Sequence, residues 1–213
     1  MIRTHKKTLV LTSIIILLPI LIGLVLWNRL PDEIATHFGA DGTPNGFSSK
    51  AFAVFGLPLF LLACHWICTL GTQFGPRKEN ISGKLMRIVL WVCPAVSLLC
   101  AFFIYGYAFS LPINFTRIIL LFLAVLFIIV GNYLPKCRQN YVMGIKLPWT
   151  LADAENWNRT HRLAGYLWMA GGLLLLPCTF VPSVSQWILL PLMVCMVGVP
   201  TVYSFLLARK KNG

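Results

Sequence analysis

Acidic residues are scarce in this chain. Six Asp and Glu stand against eighteen Lys and Arg, for a net charge of +12. Charge of either sign is scarce as well, at 11% of residues, where soluble domains carry about 25%. With 58% hydrophobic residues and a mean hydropathy of +0.78, the composition excludes a soluble globular domain. It predicts an all-α polytopic membrane protein. Charged residues are also missing from the centres of the apolar runs, which argues against an ion-coupled carrier or a proton pump, whose working parts are intramembrane charges.

The cysteines lack the pattern of a framework. Cys64, Cys68, Cys93, Cys100, Cys178 and Cys195 lie in apolar runs, where a thiol packs as a small hydrophobe, and Cys137 is expected on the reducing side, so no disulfides are predicted. Cys64 and Cys68 share a helix face, but His65 lies about 100° around it and no second ligand pair follows at a zinc spacing. No metal site and no cofactor are predicted. His65 is expected to bond a neighbouring helix.

What the chain has is length of apolar sequence. Crossing a bilayer takes about 20 mainly apolar residues, and six runs qualify, near Thr8–Trp27, Ala51–Leu70, Leu85–Phe109, Phe115–Leu134, Leu163–Val181 and Gln186–Leu207. The expected architecture is a six-helix transmembrane bundle with a short interfacial helix. The first run is longer than a secretory signal core and no small-residue cleavage site follows it, so it reads as a retained span. Prolines 19, 58, 94, 177, 191 and 200 fall inside these runs and predict kinks.

Basic residues beside spans resist translocation. A cytoplasmic N-terminus puts fifteen of the eighteen inside and leaves Arg29, Lys50 and Arg117 outside. Both termini are therefore expected in the cytoplasm, in a multi-pass membrane protein. The basic bias is a topology signal, and no direct nucleic-acid binding is predicted.

Two loops hold the remaining chemistry. The outer one, NRLPDEIATHFGADGTPNGFSSK from Asn28 to Lys50, contains Pro31, Asp32 and Glu33 as a plausible short-helix start, with Ile34 and Phe38 on one face. Turn residues follow, and Ser48 or Ser49 is placed to cap the second span. It is read as a folded lid anchored by Phe38 and Phe47. His37, Phe38, Asp41, Gly42 and Lys50 are its candidate contacts for an external ligand.

The inner one, NYVMGIKLPWTLADAENWNRTHR from Asn140 to Arg162, is denser in polar and aromatic side chains than a simple connection needs. Gly144 and Pro148 interrupt the chain. Thr150 is predicted as a helix N-cap with Asp153 as capping-box partner, so that a helix begins near Leu151. At about 100° per residue, Asp153, Trp157, Thr160 and His161 share a face continuing into the fifth span. Leu151, Glu155, Asn158, Arg159 and Arg162 lie opposite, with Glu155 and Arg159 presented to a cytoplasmic partner. Buried Asp153 and His161 would need partners, and Asn132, Asn140, Tyr141 and Lys146 are candidates. The stripe reads as a polar latch. No nucleophile or metal set accompanies it, so no catalytic residue is assigned.

The segment GIKLPWTLADAENWNRTHR resembles the signature of the SdpI family of bacterial membrane proteins, and LPDEIATHFGADGTPNGFSSK resembles the DUF1648 region that often precedes it. The matching positions are Gly144, Pro148, Trp149, Thr150, Leu151, Trp157, Thr160, His161 and Arg162, with His37, Gly42 and Lys50 in the outer loop. Lys146 and Leu147 depart from the family's Arg and Thr, and Lys lacks Arg's bidentate fork. The resemblance implies a DUF1648-like region over 1–84 and an SdpI-like region over 85–213, forming one compact membrane domain. It also implies immunity to a secreted, membrane-active peptide toxin, with recruitment of a cytoplasmic transcriptional repressor as a further family role. The lipid bilayer, the toxin and the repressor are the implied partners. The alternatives are a small-molecule or lipid transporter and an intramembrane enzyme using Asp153, His161 and Arg162.

Overall fold

The apolar runs form helices whose outer surfaces are greasier than their contacts. In the computed structural model, which describes residues 2–39, 42–112 and 114–212, Phe60 and Ile67 are about two-thirds exposed, while Thr12, His65, Thr69 and Thr72 are fully buried. Lipid tails solvate Phe and Ile as well as a core does, so packing and internal hydrogen bonds select which side faces inward. The chain is an all-α polytopic membrane protein. Among the described residues, five helical segments are long and apolar enough to cross a membrane: His5–Val25, Phe52–Phe74, Gly83–Ala108, Phe115–Lys136 and Trp187–Lys211.

The chain packs as two units. One comprises residues 1–74 and 83–114, the other 75–82 and 115–213.

In the first unit, α1 (Ile2–Val25), α2 (Leu57–Phe74) and α3 (Gly83–Ala108) pack together, and a hairpin of β1 (Glu33–Phe38) and β2 (Pro44–Ser49) joins α1 to α2. Polar side chains on α3 bond carbonyls of α1: Ser97 Oγ donates to Ile16 O (2.9 Å) and Tyr105 OH to Pro19 O (2.8 Å). His65 Nε2 lies 3.0 Å from Thr12 Oγ1, joining α2 to α1 as expected. Pro58 offers no N–H to the carbonyl four residues back. The preceding turn, Phe52–Gly56, widens to a π-helix in which Leu57 N–H reaches Phe52 O.

The hairpin corrects the helical reading of the outer loop. Glu33 pairs with Ser49 and Ile34 with Ser48 in an antiparallel register, and Lys50 N–H closes on Asp32 O (2.8 Å). A six-residue helix would leave most of its backbone groups unpaired, whereas the hairpin pairs them across the strands. Ile34 is buried in a core with Ala53, Val54, Ala101, Ile104 and Tyr105, and Ala35 beside it is buried too. Ser49 Oγ accepts from Phe52 N–H (3.3 Å), as anticipated for a cap.

In the second unit, α4 (Phe115–Tyr133), α6 (Ala154–Cys178) and α7 (Pro182–Asn212) pack around Leu120, Ala124, Phe127, Leu175 and Met196, with the short α5 (Pro148–Ala152) before α6. The expected fifth span, Leu163–Val181, falls on α6 and runs past its end at Cys178, and α6 is not among the five helices apolar enough to cross. Its first turns are the polar signature, so the six-span expectation holds for helix count only approximately. Small residues at seven-residue spacing bring α4 and α6 into backbone contact, Gly131 on Gly165 and Ala124 on Gly172. In α7, Pro200 leaves the Met196 carbonyl without its helical donor, and Trp168 Nε1 supplies one at 3.2 Å. Such substitutions are how membrane helices tolerate proline.

Candidate functional site

The signature segment is a knot of buried polar groups in the second unit. Asn140 turns the chain after α4. Its Oδ1 accepts from Val142 N–H (2.8 Å) and Met143 N–H (2.9 Å), while Nδ2 donates to Arg138 O (2.8 Å), the local bonding that makes Asn a turn residue. Gly144 follows with φ +116°, where a side chain would strain the backbone and collide with the His161 imidazole.

Trp157 is the centre. Fully buried, it donates from Nε1 to Cys137 O at 2.7 Å and stacks on His161, ring centroids 3.9 Å apart and planes 22° from parallel. His161 Nε2 accepts from Ile145 N–H at 2.9 Å, which assigns the ring proton to Nδ1, and Nδ1–H donates to Trp157 O at 2.7 Å. Thr150 Oγ1 accepts from Leu147 N–H (2.9 Å) and donates to Ile145 O (2.7 Å). Gln139 Nε2 reaches Thr150 O (2.7 Å), and Asn80 Nδ2 reaches Gln139 O (2.7 Å). The loop is thus pinned on both sides of Gly144.

A second set ties the segment to α7. Trp149 Nε1 donates to Ser204 Oγ (2.9 Å) and its ring meets Phe205 edge-on at 5.6 Å. Asn156 Nδ2 donates to Ser204 O (2.9 Å), and Thr160 Oγ1 donates to Asn156 Oδ1 (3.0 Å). Asn156 and Ser204 escaped sequence reading. The i, i+4 spacing of Asn156 and Thr160 was a legible signal, but nothing in the sequence pointed to Ser204.

The helix start differs from the expected one. Pro148 opens the five-residue α5, in which Thr150 sits at the third position and bonds back to Leu147. Asp153 is the N-cap of α6, accepting from Glu155 N–H at 2.9 Å, and it pairs with Lys211 at 3.0 Å. Asp153 therefore leaves the buried stripe it was assigned to: a capping carboxylate points along the axis at free N–H groups, away from the face its helical angle predicts. The Lys211 ammonium, with the Glu155 N–H, holds its carboxyl below the usual range. His161 takes its partners from Ile145 and Trp157, and none of Asn132, Asn140, Tyr141 or Lys146 bonds it. Asp153 and His161 are not brought together, so the base and its orienting acid do not form a pair.

Trp157, Thr160 and His161 do lie buried on one face, and Glu155, Asn158, Arg159 and Arg162 lie exposed on the other. Arg159 pairs with Glu155 at 2.8 Å. Lys146 is exposed and caps the Tyr141 and Val142 carbonyls at 3.3 Å each.

Of the hairpin candidates, His37 is exposed and bonds Asn45 Oδ1 through Nδ1. Phe38 packs edge-on against Tyr107 (5.4 Å), and Gly42 takes φ +82° in the turn. Asp41 lies outside the described residues. Lys50 is committed internally, donating to Leu30 O (3.0 Å) and Trp27 O (3.3 Å), pairing with Asp32 (3.1 Å) and lying over the Trp27 ring. Phe47 is half exposed and does not anchor to the core.

His161 gives the segment a pH dependence. Burial lowers its pKa below the usual imidazole value of about 6.5, partly opposed by the bond to the Trp157 carbonyl, and protonation would aim Nε2–H at Ile145 N–H. The unfolded chain then binds a proton that the folded one does not. Unfolding free energy, measured by denaturant titration, is expected to be steady above about pH 7 and to fall as pH drops through about 6.5. His161→Gln should flatten that fall, and an unaltered slope in the variant would assign it elsewhere.

Residues 136–204 match the SdpI/YfhL protein family, and residues 14–62 match DUF1648, a domain of unknown function. The chain is 25% identical to the Immunity protein SdpI of Bacillus subtilis (strain 168) over 97% of its own length and 99% of the relative's. No solved structure matches it. The SdpI/YfhL match contains the knot from Cys137 to Ser204, including the Asn156 and Trp149 bonds to α7, and leaves out only the flanking contacts of Asn80 and Lys211.

Proposed function

We propose that this chain, whose residues 136–204 belong to the SdpI/YfhL family, is an integral membrane immunity protein that protects its host against a secreted, membrane-active peptide. The observation that carries the proposal is the end-to-end similarity to a protein named for immunity, which spans the hairpin as well as the knot. The excess of Lys and Arg after α4, in the first turns of α6 and at the end of α7 supports a cytoplasmic location for the knot and both termini, with α6, antiparallel to α7, as the sixth crossing. The hairpin then faces outward, where His37 and Phe47 are available to an arriving peptide.

On the inner side, the exposed Glu155 and Arg159 suit a soluble protein partner, for which a transcriptional repressor is the family's precedent. The buried face of the same helix is bonded into α7 and the α4 turn, so a change in span packing would reach the exposed face through one rigid element. Such coupling requires two arrangements of that element.

Expression of the full chain in a toxin-sensitive host should raise survival under the cognate peptide, read as colony counts across a peptide dose series. Unchanged killing across a panel of related membrane-active peptides would sink the proposal. A cysteine at position 159 that labels only from outside the cell would reverse the topology.

A further inference from the structure

The α4–α6 seam ends in a basic, aromatic rim. Pro135 packs on Gly165, which sets the turn after α4 beside the first turns of α6. On the α4 side, Tyr133 is followed by exposed Lys136 and Arg138. On the α6 side, exposed Tyr166 lies one helical turn below exposed Arg162 on the same face. On each side of the seam a tyrosine thus stands within about a turn of exposed cations, the pairing of aromatic ring and basic group that suits the interface of a bilayer.

Among the described residues these cations have no acid to satisfy them. Lys136 Nζ donates to Asn132 Oδ1 (2.8 Å) and rests 5.6 Å over the Tyr133 ring. Arg138 and Arg162 make no ion pair among the described residues. The two acids at the start of α6 are engaged elsewhere, Asp153 by Lys211 and Glu155 by Arg159. A guanidinium fork matches phosphodiester oxygens. A soluble anion or an acidic protein segment would use the charges but would leave the Tyr166 ring, 66% exposed, unaccounted for.

We propose that Lys136, Arg138 and Arg162, beside Tyr133 and Tyr166, bind the phosphate headgroups of anionic phospholipids. The site is independent of the immunity reading, because it depends only on the rim and the bilayer.

The full chain in neutral detergent is titrated with phosphatidylglycerol or phosphatidylcholine, and bound lipid is counted by native mass spectrometry. Phosphatidylglycerol should be retained preferentially, and the preference should fall about fivefold for each of Arg138→Gln and Arg162→Gln. Tyr166→Ala should lower it too, while Arg162→Lys should retain most of it and Arg29→Gln, in the other unit, all of it. Equal retention of the two lipids, or a preference untouched by the Gln variants, would overturn the proposal. So would equal competition by glycerol phosphate, which marks a free-anion site. Displacement by polyglutamate with Tyr166→Ala inert would assign the rim to an acidic protein instead.

Discussion

Gly131→Ala is expected to destabilise the second unit by about 3 kcal/mol, while Gly198→Ala should leave it unchanged or improve it by about 0.5–1 kcal/mol. Both exchanges add one methyl to a membrane helix, and the surroundings decide the sign. At Gly131 the new carbon would stand 2.5 Å from Met169 N and 2.9 Å from Gly165 O, both backbone atoms that no rotamer change can move. At Gly198 it meets nothing within 4 Å. Helices in lipid gain little from hiding apolar surface, so close approach and dispersion carry the association. Separating α4 from α6 at Gly131 also loosens Ala124 on Gly172, two turns away on the same seam. Denaturation in mixed micelles, followed by helical circular dichroism, measures both variants. Equal stability of the two would show that the seam is not a tight contact.

Trp157→Ala should cost about 3–5 kcal/mol, the usual range for emptying a buried aromatic site. The loss compounds three contacts: the fully buried indole, its bond to the Cys137 carbonyl, and the stack that holds the His161 ring against Ile145 N–H. Trp157→Phe keeps most of the volume and strands one carbonyl, so it should cost about 1–3 kcal/mol. Cys137 reports the local effect. Its thiol is buried, and that burial pushes its pKa up, so the native chain should alkylate slowly there. In Trp157→Ala the turn after α4 opens, and Cys137, mapped by mass spectrometry, should label faster. Labelling as slow as in the native chain would mean that the turn holds without the indole.

Local periodicity made much of this legible. The apolar runs marked the helices because a span must satisfy its backbone internally and present apolar side chains over a fixed length. The same helical arithmetic divided the start of α6 correctly into a buried face with Trp157, Thr160 and His161 and an exposed one with Glu155, Arg159 and Arg162. It failed for Asp153, because a residue at the helix boundary does not have helical dihedrals and its side chain serves the free N–H groups. Thr150 and Asp153 are both good caps. Only the fold shows that Pro148 opens a separate short helix before the real start.

The hairpin was misread for a related reason. A proline followed by two acids is a sound helix start, and Ile34 and Phe38 suit one helix face. Pairing with Pro44–Ser49, across a turn through Gly42, satisfies more backbone than one isolated turn of helix, and burial of Ile34 in the first unit's core adds to it.

By itself, then, the sequence determined the membrane class, the positions of the apolar helices and the two-faced start of α6, since each follows from composition or from a period of a few residues. The tertiary structure decided the partners: Ser204 for Asn156 and Trp149, Lys211 for Asp153, Ile145 for His161, and Gly165 for Gly131. Each joins positions that only folding brings within hydrogen-bond or van der Waals range. Hydrogen bonds and close packing depend on angles and tenths of an ångström, which no spacing along the chain encodes.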